Sequence, residues 1–153
     1  MRQAGILFPI SCLPSKSGIG DFGPEAYKLV DWLEKTGVGI WQILPLNPLG
    51  FGYSPYQTLS SYAIEPLYLS LDLLEEEGLI KQAPQQEATD SINYEKVQRL
   101  KAPYYDEAFA NFKPDKKYEM FKKRTWVKKY AIFMALKKKN ELRSWTEWKI
   151  TAQ

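Results

Sequence analysis

The chain of 153 residues contains no histidine and only one cysteine, and these two shortages remove several kinds of chemistry at once. Without an imidazole, the thiol of Cys12 has no base to activate it as a nucleophile, and the usual Cys/His zinc sets cannot be assembled, so no metal site is expected. A lone cysteine forms no internal disulfide, which fits a reducing, cytoplasmic setting. Cys12, in a Ser-Cys-Leu-Pro loop, reads as a small packing residue. No run of eighteen apolar residues occurs, and the N-terminus lacks the basic-then-apolar pattern of a signal peptide, so neither a membrane partner nor secretion is expected. The glycines around Gly18 and Gly20 lack the later acidic partner of a dinucleotide fingerprint, and no cofactor is expected. Repeats and low-complexity tracts are missing too, and the composition, 44% hydrophobic and 25% charged, is that of a globular protein.

Charge is present but unevenly spread. Residues 113–153 carry thirteen Lys/Arg against four Asp/Glu, whereas residues 1–72 carry four against six. A basic end of this kind can attract nucleic acid. Here, however, the lysines alternate with Tyr118, Phe121, Trp126, Tyr130 and Phe133 at helical spacing, the pattern of a solvated face opposite a buried one. A nucleic-acid partner is therefore not expected.

Along the chain, residues 4–8 form a short apolar run stopped by Pro9, as in a strand buried on both faces. Ala26, Leu29, Val30 and Leu33 then recur at i, i+3, i+4, i+7, predicting a helix over 24–36 with Pro24 in its first turn and Gly37 as its stop. A second apolar run, 39–44, closes at Pro45. Strand, helix and strand at these lengths make a βαβ unit, and each strand is followed by a long loop, 9–23 and 45–66. Residues 67–71 can still form a strand, 72–78 a short helix ending at Gly78, and 81–92 a polar surface connection. Helices are predicted over 94–100, 104–112, 116–124 and 126–141. The segment 126–136 is apolar around most of its circumference, which argues for burial in a larger body, and Lys137, Lys138 and Lys139 suit its C-terminal end electrostatically.

The loop run Gly50-Phe51-Gly52-Tyr53-Ser54-Pro55-Tyr56-Gln57 gathers three aromatic rings, a hydroxyl and a carboxamide on a backbone punctuated by glycine and proline. A hexose presents an apolar C–H face to a ring and a rim of hydroxyls to polar groups, so this combination suits a sugar. A proline-aromatic turn that plugs a core is the competing reading of the same residues.

The surroundings of that run resemble the N-terminal region of the 4-alpha-glucanotransferases, the amylomaltase or disproportionating-enzyme family, glycoside hydrolase family 77. The resemblance is carried by residues 2–11 (Arg-Gln-Ala-Gly-Ile-Leu-Phe-Pro-Ile-Ser), Leu13-Pro14-Ser15, Gly18-Ile19-Gly20-Asp21-Phe22-Gly23, Ala26-Tyr27, residues 41–50 (Trp-Gln-Ile-Leu-Pro-Leu-Asn-Pro-Leu-Gly), Ser54-Pro55-Tyr56-Gln57 and Ser60-Ser61-Tyr62-Ala63, with an echo at 130–137. It implies an α/β fold: the first part of a (β/α)8 TIM barrel, with residues 1–70 as the first βαβ unit plus substrate loop and 71–153 as a mainly helical insertion after the second strand. A complete barrel needs about 250 residues, so the resemblance also implies an incomplete N-terminal piece.

Family members transfer a 1,4-alpha-glucan segment to the 4-hydroxyl of glucose or another glucan, so malto-oligosaccharides and alpha-1,4-glucans are the implied partners. Retaining chemistry of this kind uses two carboxyl groups about 5 Å apart, one as nucleophile and one as acid then base. Asp21, Glu25, Asp31, Glu34 and Glu75-Glu76-Glu77 are the carboxylates in reach, and none follows an apolar strand directly. Asp21, just before a helix, reads as a cap. The family's catalytic carboxylates lie on later strands, so no catalytic residue is carried over and this segment alone is expected to be inactive. Ser54, Tyr56 and Gln57 do match the substrate-loop pattern: Tyr56 is expected against the glucose beside the scissile bond, Ser54 gives a hydroxyl contact, and Gln57 binds sugar or braces the loop. Phe51 and Tyr53 are either an outer stacking rim or packing residues. Tyr53 and Ile64-Glu65 depart from the family pattern. A non-catalytic malto-oligosaccharide-binding module is the alternative function, and a basic helical nucleic-acid binder is a more distant one that the βαβ opening argues against.

Overall fold

The computed structural model describes residues 2–86 and 89–148, and the chain divides into two units, Met1–Phe112 and Lys113–Gln153. In the first, β1 (Gly5–Leu7) and β2 (Ile40–Gln42) pair in parallel with Gly5 opposite Ile40 and Leu7 opposite Gln42. They are joined by α1 (Pro24–Lys35), so the expected strand-helix-strand unit is present. The ladder continues through Phe8, whose N–H donates to the Gln42 carbonyl at 2.9 Å, and Trp41 Nε1 donates to the Phe8 carbonyl at 2.8 Å. Pro9 ends the first strand because it has no N–H to add.

Both strands are more open than a doubly covered strand should be. Ile6 and Trp41 are half-buried, whereas Leu7 and Ile40 are exposed, because a two-stranded pair is covered on one face only. The main core forms beside them, where Ile10, Leu13 and Ile19 from the loop after β1 meet Ala26 of α1, Leu67, Tyr68 and Val97. α1 starts at Pro24 without a side-chain cap and is closed by Gly37 at φ +74°, the left-handed C-terminal stop. Gly23 lies close to a neighbouring side chain: a Cβ there would fall 2.3 Å from Ser70 Oγ, which would have to shift.

Residues 67–71, read as a possible strand, instead form a single 3-10 turn (Pro66–Tyr68) followed by α2 (Leu71–Glu76). Two caps decide this. Glu65 accepts from the Leu67 N–H, and Ser70 accepts from the Leu73 N–H, so the backbone is drawn into turns rather than a ladder. The connection beyond α2 is less superficial than its polarity suggests, since Ala83 is buried and the Gln86 N–H donates to the Lys16 carbonyl.

α3 (Tyr94–Asn111) is one helix where two were expected, and it runs through Pro103. An internal proline removes a helix hydrogen bond and costs about 3 kcal/mol. The residues on either side offset that cost, because Lys101 and Tyr105 both bind backbone carbonyls of residues 66–69. α3 also closes a second core, with Ala108 against Leu71, Leu74, Ile80 and Ala83.

The second unit contains α4 (Lys116–Lys122) and α5 (Thr125–Lys139). Asp115 caps α4 by accepting from the Tyr118 N–H at 2.7 Å. Phe121 meets Trp126 edge-on at 5.6 Å, and Phe133 meets Trp148 at 5.6 Å. None of the described residues of α5 is buried within this chain, and Ile132 and Leu136 are exposed. Its three terminal lysines do occupy the last turn, where Lys137 Nζ donates to the Leu142 carbonyl at 2.9 Å.

Candidate functional site: the loop after the second strand

Residues 45–66 leave β2 and return as a closed loop with a narrow neck. Leu49 and Thr58 form an antiparallel bridge, the Leu59 N–H donates to the Pro48 carbonyl at 3.2 Å, and Thr58 Oγ1 donates to the same carbonyl at 2.9 Å. Gly50 faces the backbone of Gln57 so closely that a Cβ would fall 2.0 Å from its carbonyl oxygen. Only glycine fits there. The aromatic run is thus the tip of a pinched loop.

Beneath the neck, buried Glu65 accepts from the Leu49 N–H at 2.7 Å through one carboxylate oxygen and from the Leu67 N–H at 3.2 Å through the other. Its own N–H donates to the Leu46 carbonyl at 2.8 Å, and Asn47 Nδ2 donates to the Ala63 carbonyl. A buried carboxylate is tolerable when its oxygens are met in this way. Glu65, noted in the sequence as a departure, is therefore the clamp that closes the loop.

At the tip, Ser54, Tyr56 and Gln57 fall in one tight turn. Ser54 Oγ accepts from the Tyr56 N–H at 3.3 Å, and the Ser54 carbonyl accepts from the Gln57 N–H at 3.3 Å. Tyr56 is 72% exposed and Phe51 91% exposed, so neither ring is packed into a core within this chain. Tyr53 does the opposite: it is half-buried and stacks on Tyr94, with centroids 4.7 Å apart and planes 9° apart.

Asp21 does not cap α1. It is buried and paired with Lys101, whose Nζ lies 3.3 Å from Asp21 Oδ2 and also donates to the carbonyls of Leu67 at 2.7 Å and Leu69 at 3.0 Å. Lys101 is 0% exposed. Burial lowers the Lys101 ammonium below its usual range and raises the Asp21 carboxyl above its own, each partly offset by the other's charge. Sequence reasoning missed this pair, although a signal existed: Tyr94, Val97, Lys101, Tyr105 and Ala108 share one helix face, and a lysine within an apolar stripe calls for a partner.

Cys12, expected to pack, is exposed. The turn Ile10–Cys12 buries Ile10 and Leu13, which leaves the thiol outward on a cleft of about 410 Å³ shared with Ser11, Asp90 and Ile92. Burial pushes the nearby Tyr68 phenol up to about 12 and raises that of Tyr94, so both rings stay neutral. Among the described residues no group of three or more His, Cys, Asp or Glu is arranged to hold a metal ion, and no helix is long and apolar enough to cross a membrane.

A parallel strand-helix-strand start, with a clamped aromatic loop leaving the second strand, defines a mixed α/β protein segment, and comparison with known proteins agrees. The family model described as 4-alpha-glucanotransferase, glycoside hydrolase family 77, matches residues 8–153, and the chain belongs to that family. It is 40% identical over 155 residues to the 4-alpha-glucanotransferase of Clostridium butyricum, an alignment covering 91% of this chain and 30% of that protein. Against the 4-alpha-glucanotransferase of Aquifex aeolicus identity is 41% over 157 residues, covering 97% and 31%. The structure of an amylomaltase from Streptococcus agalactiae in complex with acarbose superposes with a TM-score of 0.87 at 33% identity, over 97% of this chain and 32% of that one. The chain thus spans about 30% of the length of these relatives.

Proposed function

We propose that the chain supplies the first two strands and the sugar-gripping loop of a cytoplasmic 4-alpha-glucanotransferase built on a (β/α)8 barrel. In a parallel barrel the loops after the strands carry the site, and the loop after β2 is the one whose rings stand open. The observation that carries the reading is Tyr56: an exposed ring held on a clamped turn beside the Ser54 hydroxyl. Tyr56 stacks on or hydrogen-bonds to a glucose unit next to the scissile bond, Ser54 contacts a hydroxyl, and Gln57 binds sugar or steadies the turn. The acarbose complex of the streptococcal relative supports malto-oligosaccharides as the ligands.

The reaction is retaining: a carboxylate attacks the anomeric carbon, a carboxylic acid protonates the departing glucan oxygen, and a sugar 4-hydroxyl later displaces the enzyme carboxylate as the same acid, now a base, takes its proton. The two buried carboxylates near the loop are already engaged, Asp21 by Lys101 and Glu65 by two backbone N–H groups. That supports catalytic carboxylates contributed from outside this segment, with residues 71–153 inserted between barrel strands. Aromatic walls also keep water from the covalent intermediate, which favours transfer over hydrolysis.

The test is to incubate this polypeptide, and one extended in its own reading frame, with maltotriose. Longer and shorter maltodextrins are expected from the extended form alone, with Tyr56→Ala raising its KM about tenfold, the loss of one good ring contact. Failure of the extended form to redistribute maltotriose overturns the enzyme reading and leaves a glucan-binding module. An unchanged KM in Tyr56→Ala removes the loop from the site.

A further inference from the structure

Tyr53 has φ +56° and follows Gly52 at φ +67°. Two left-handed residues in succession turn the chain sharply just before Ser54. Glycine or asparagine holds such a bend at little cost, whereas a bulky residue there is strained and persists only where its surroundings enforce the conformation. The Tyr53 ring is stacked on Tyr94.

Tyr94 is itself well fixed. It opens α3 directly after the cap Asn93, whose side chain accepts from the Lys96 N–H at 2.9 Å, and it packs against the main core. The same helix face reaches the end of the loop region twice more, through Lys101 on the Leu67 and Leu69 carbonyls and Tyr105 Oη on the Pro66 carbonyl at 2.6 Å. Tyr94, Lys101 and Tyr105 stand at i, i+7 and i+11, one stripe of the helix. A single rigid element therefore touches the sugar loop at its tip and its exit.

We infer that Tyr94 is a positioning residue for sugar binding: its ring holds Tyr53 in the left-handed conformation and so fixes where Ser54 and Tyr56 meet a glucose unit. The inference rests on the reading of Ser54–Gln57 as the glucan contact. In this role Tyr94 acts through Tyr53. The helical segment after β2 then sets affinity for malto-oligosaccharide and does more than fill space.

The experiment uses the polypeptide carried through its own reading frame, with maltotriose as the probe. Tyr94→Leu removes the platform, and Tyr53→Leu removes the ring and leaves a residue that disfavours the left-handed backbone. Each is expected to raise KM about fivefold with kcat changed less than about twofold, and Tyr94→Phe, which keeps the ring, is expected to restore KM to within about twofold of the parent. A purely structural contact would instead reduce the fraction of active molecules, lowering kcat at constant KM. If Tyr94→Leu does not fold, Tyr53→Leu decides. An unchanged KM in Tyr53→Leu, or failure of Tyr94→Phe to restore it, overturns the inference even where Tyr56→Ala raises KM. An unchanged KM in Tyr56→Ala removes the underlying reading and this inference with it.

Discussion

The units Met1–Phe112 and Lys113–Gln153 are both rich in aromatic side chains, yet they use them differently. In the first, Tyr68 is buried in the core, Tyr53 and Tyr94 stack, and Tyr105 donates from within a packed helix. In the second, Phe121 and Trp126, and Phe133 and Trp148, meet in pairs, and none of the described residues of α4 or α5 is buried. The difference lies in polar anchoring more than in apolar content. Buried Asp21, Glu65 and Lys101 bind backbone or each other across long stretches of sequence in the first unit, whereas ion pairs in the second, such as Lys122 with Glu119 and Arg143 with Glu141, are local and exposed. Such surface pairs contribute little to stability.

That contrast can be broken first at Lys101. Lys101→Met strips the ammonium from Asp21 and two carbonyls; leaving one partner of a buried pair uncompensated costs about 3–5 kcal/mol. Amide hydrogen exchange is expected to show lost protection around Leu67–Leu74 and unchanged protection in α5. Equal loss in both units would mean that they unfold together and that the contrast is only apparent. Glu65→Ala should come next, at roughly 2–3 kcal/mol, because two N–H groups lose a charged acceptor. Its unfolding midpoint is expected to fall less than that of Lys101→Met, while backbone resonances of residues 49–58 broaden; a sharp, unshifted loop would show that the neck holds without the clamp. The smallest effect belongs to α5, where Ile132→Ala is expected to change stability by less than about 0.5 kcal/mol, as for other exposed sites. A loss several times larger would show that this helix face is covered, bringing the second unit closer to the first.

Much of the fold was legible because it rests on short-range rules. The 3.6-residue recurrence of Ala26, Leu29 and Leu33, with Pro24 and Gly37 as punctuation, predicts α1 almost to the residue, and Pro9 and Pro45 bracket the two strand regions. The misreadings share a cause. Pro103 argues locally for a break, and Leu67-Tyr68-Leu69 for a strand, but contacts from distant residues settle both: Lys101 and Tyr105 brace the helix from residues 66–69, and Glu65 and Ser70 cap the turns. At the loop, Ser54, Tyr56 and Gln57 stand out by composition and motif. Glu65, Tyr94 and Lys101 do not, since their partners lie 16, 41 and 80 positions away along the chain. Helical phase offered a hint at Lys101, and the family departure at Ile64-Glu65 offered another, yet neither identifies the partner.

The near-contact between Gly50 and the Gln57 carbonyl divides the loop into a fixed collar and an interchangeable crown. Any side chain on Gly50 would pry the collar open, whereas Phe51 and Tyr56 project outward with no packing duty to the collar. Natural variation or directed evolution can therefore exchange the rings of the crown without renegotiating how the polypeptide folds beneath it.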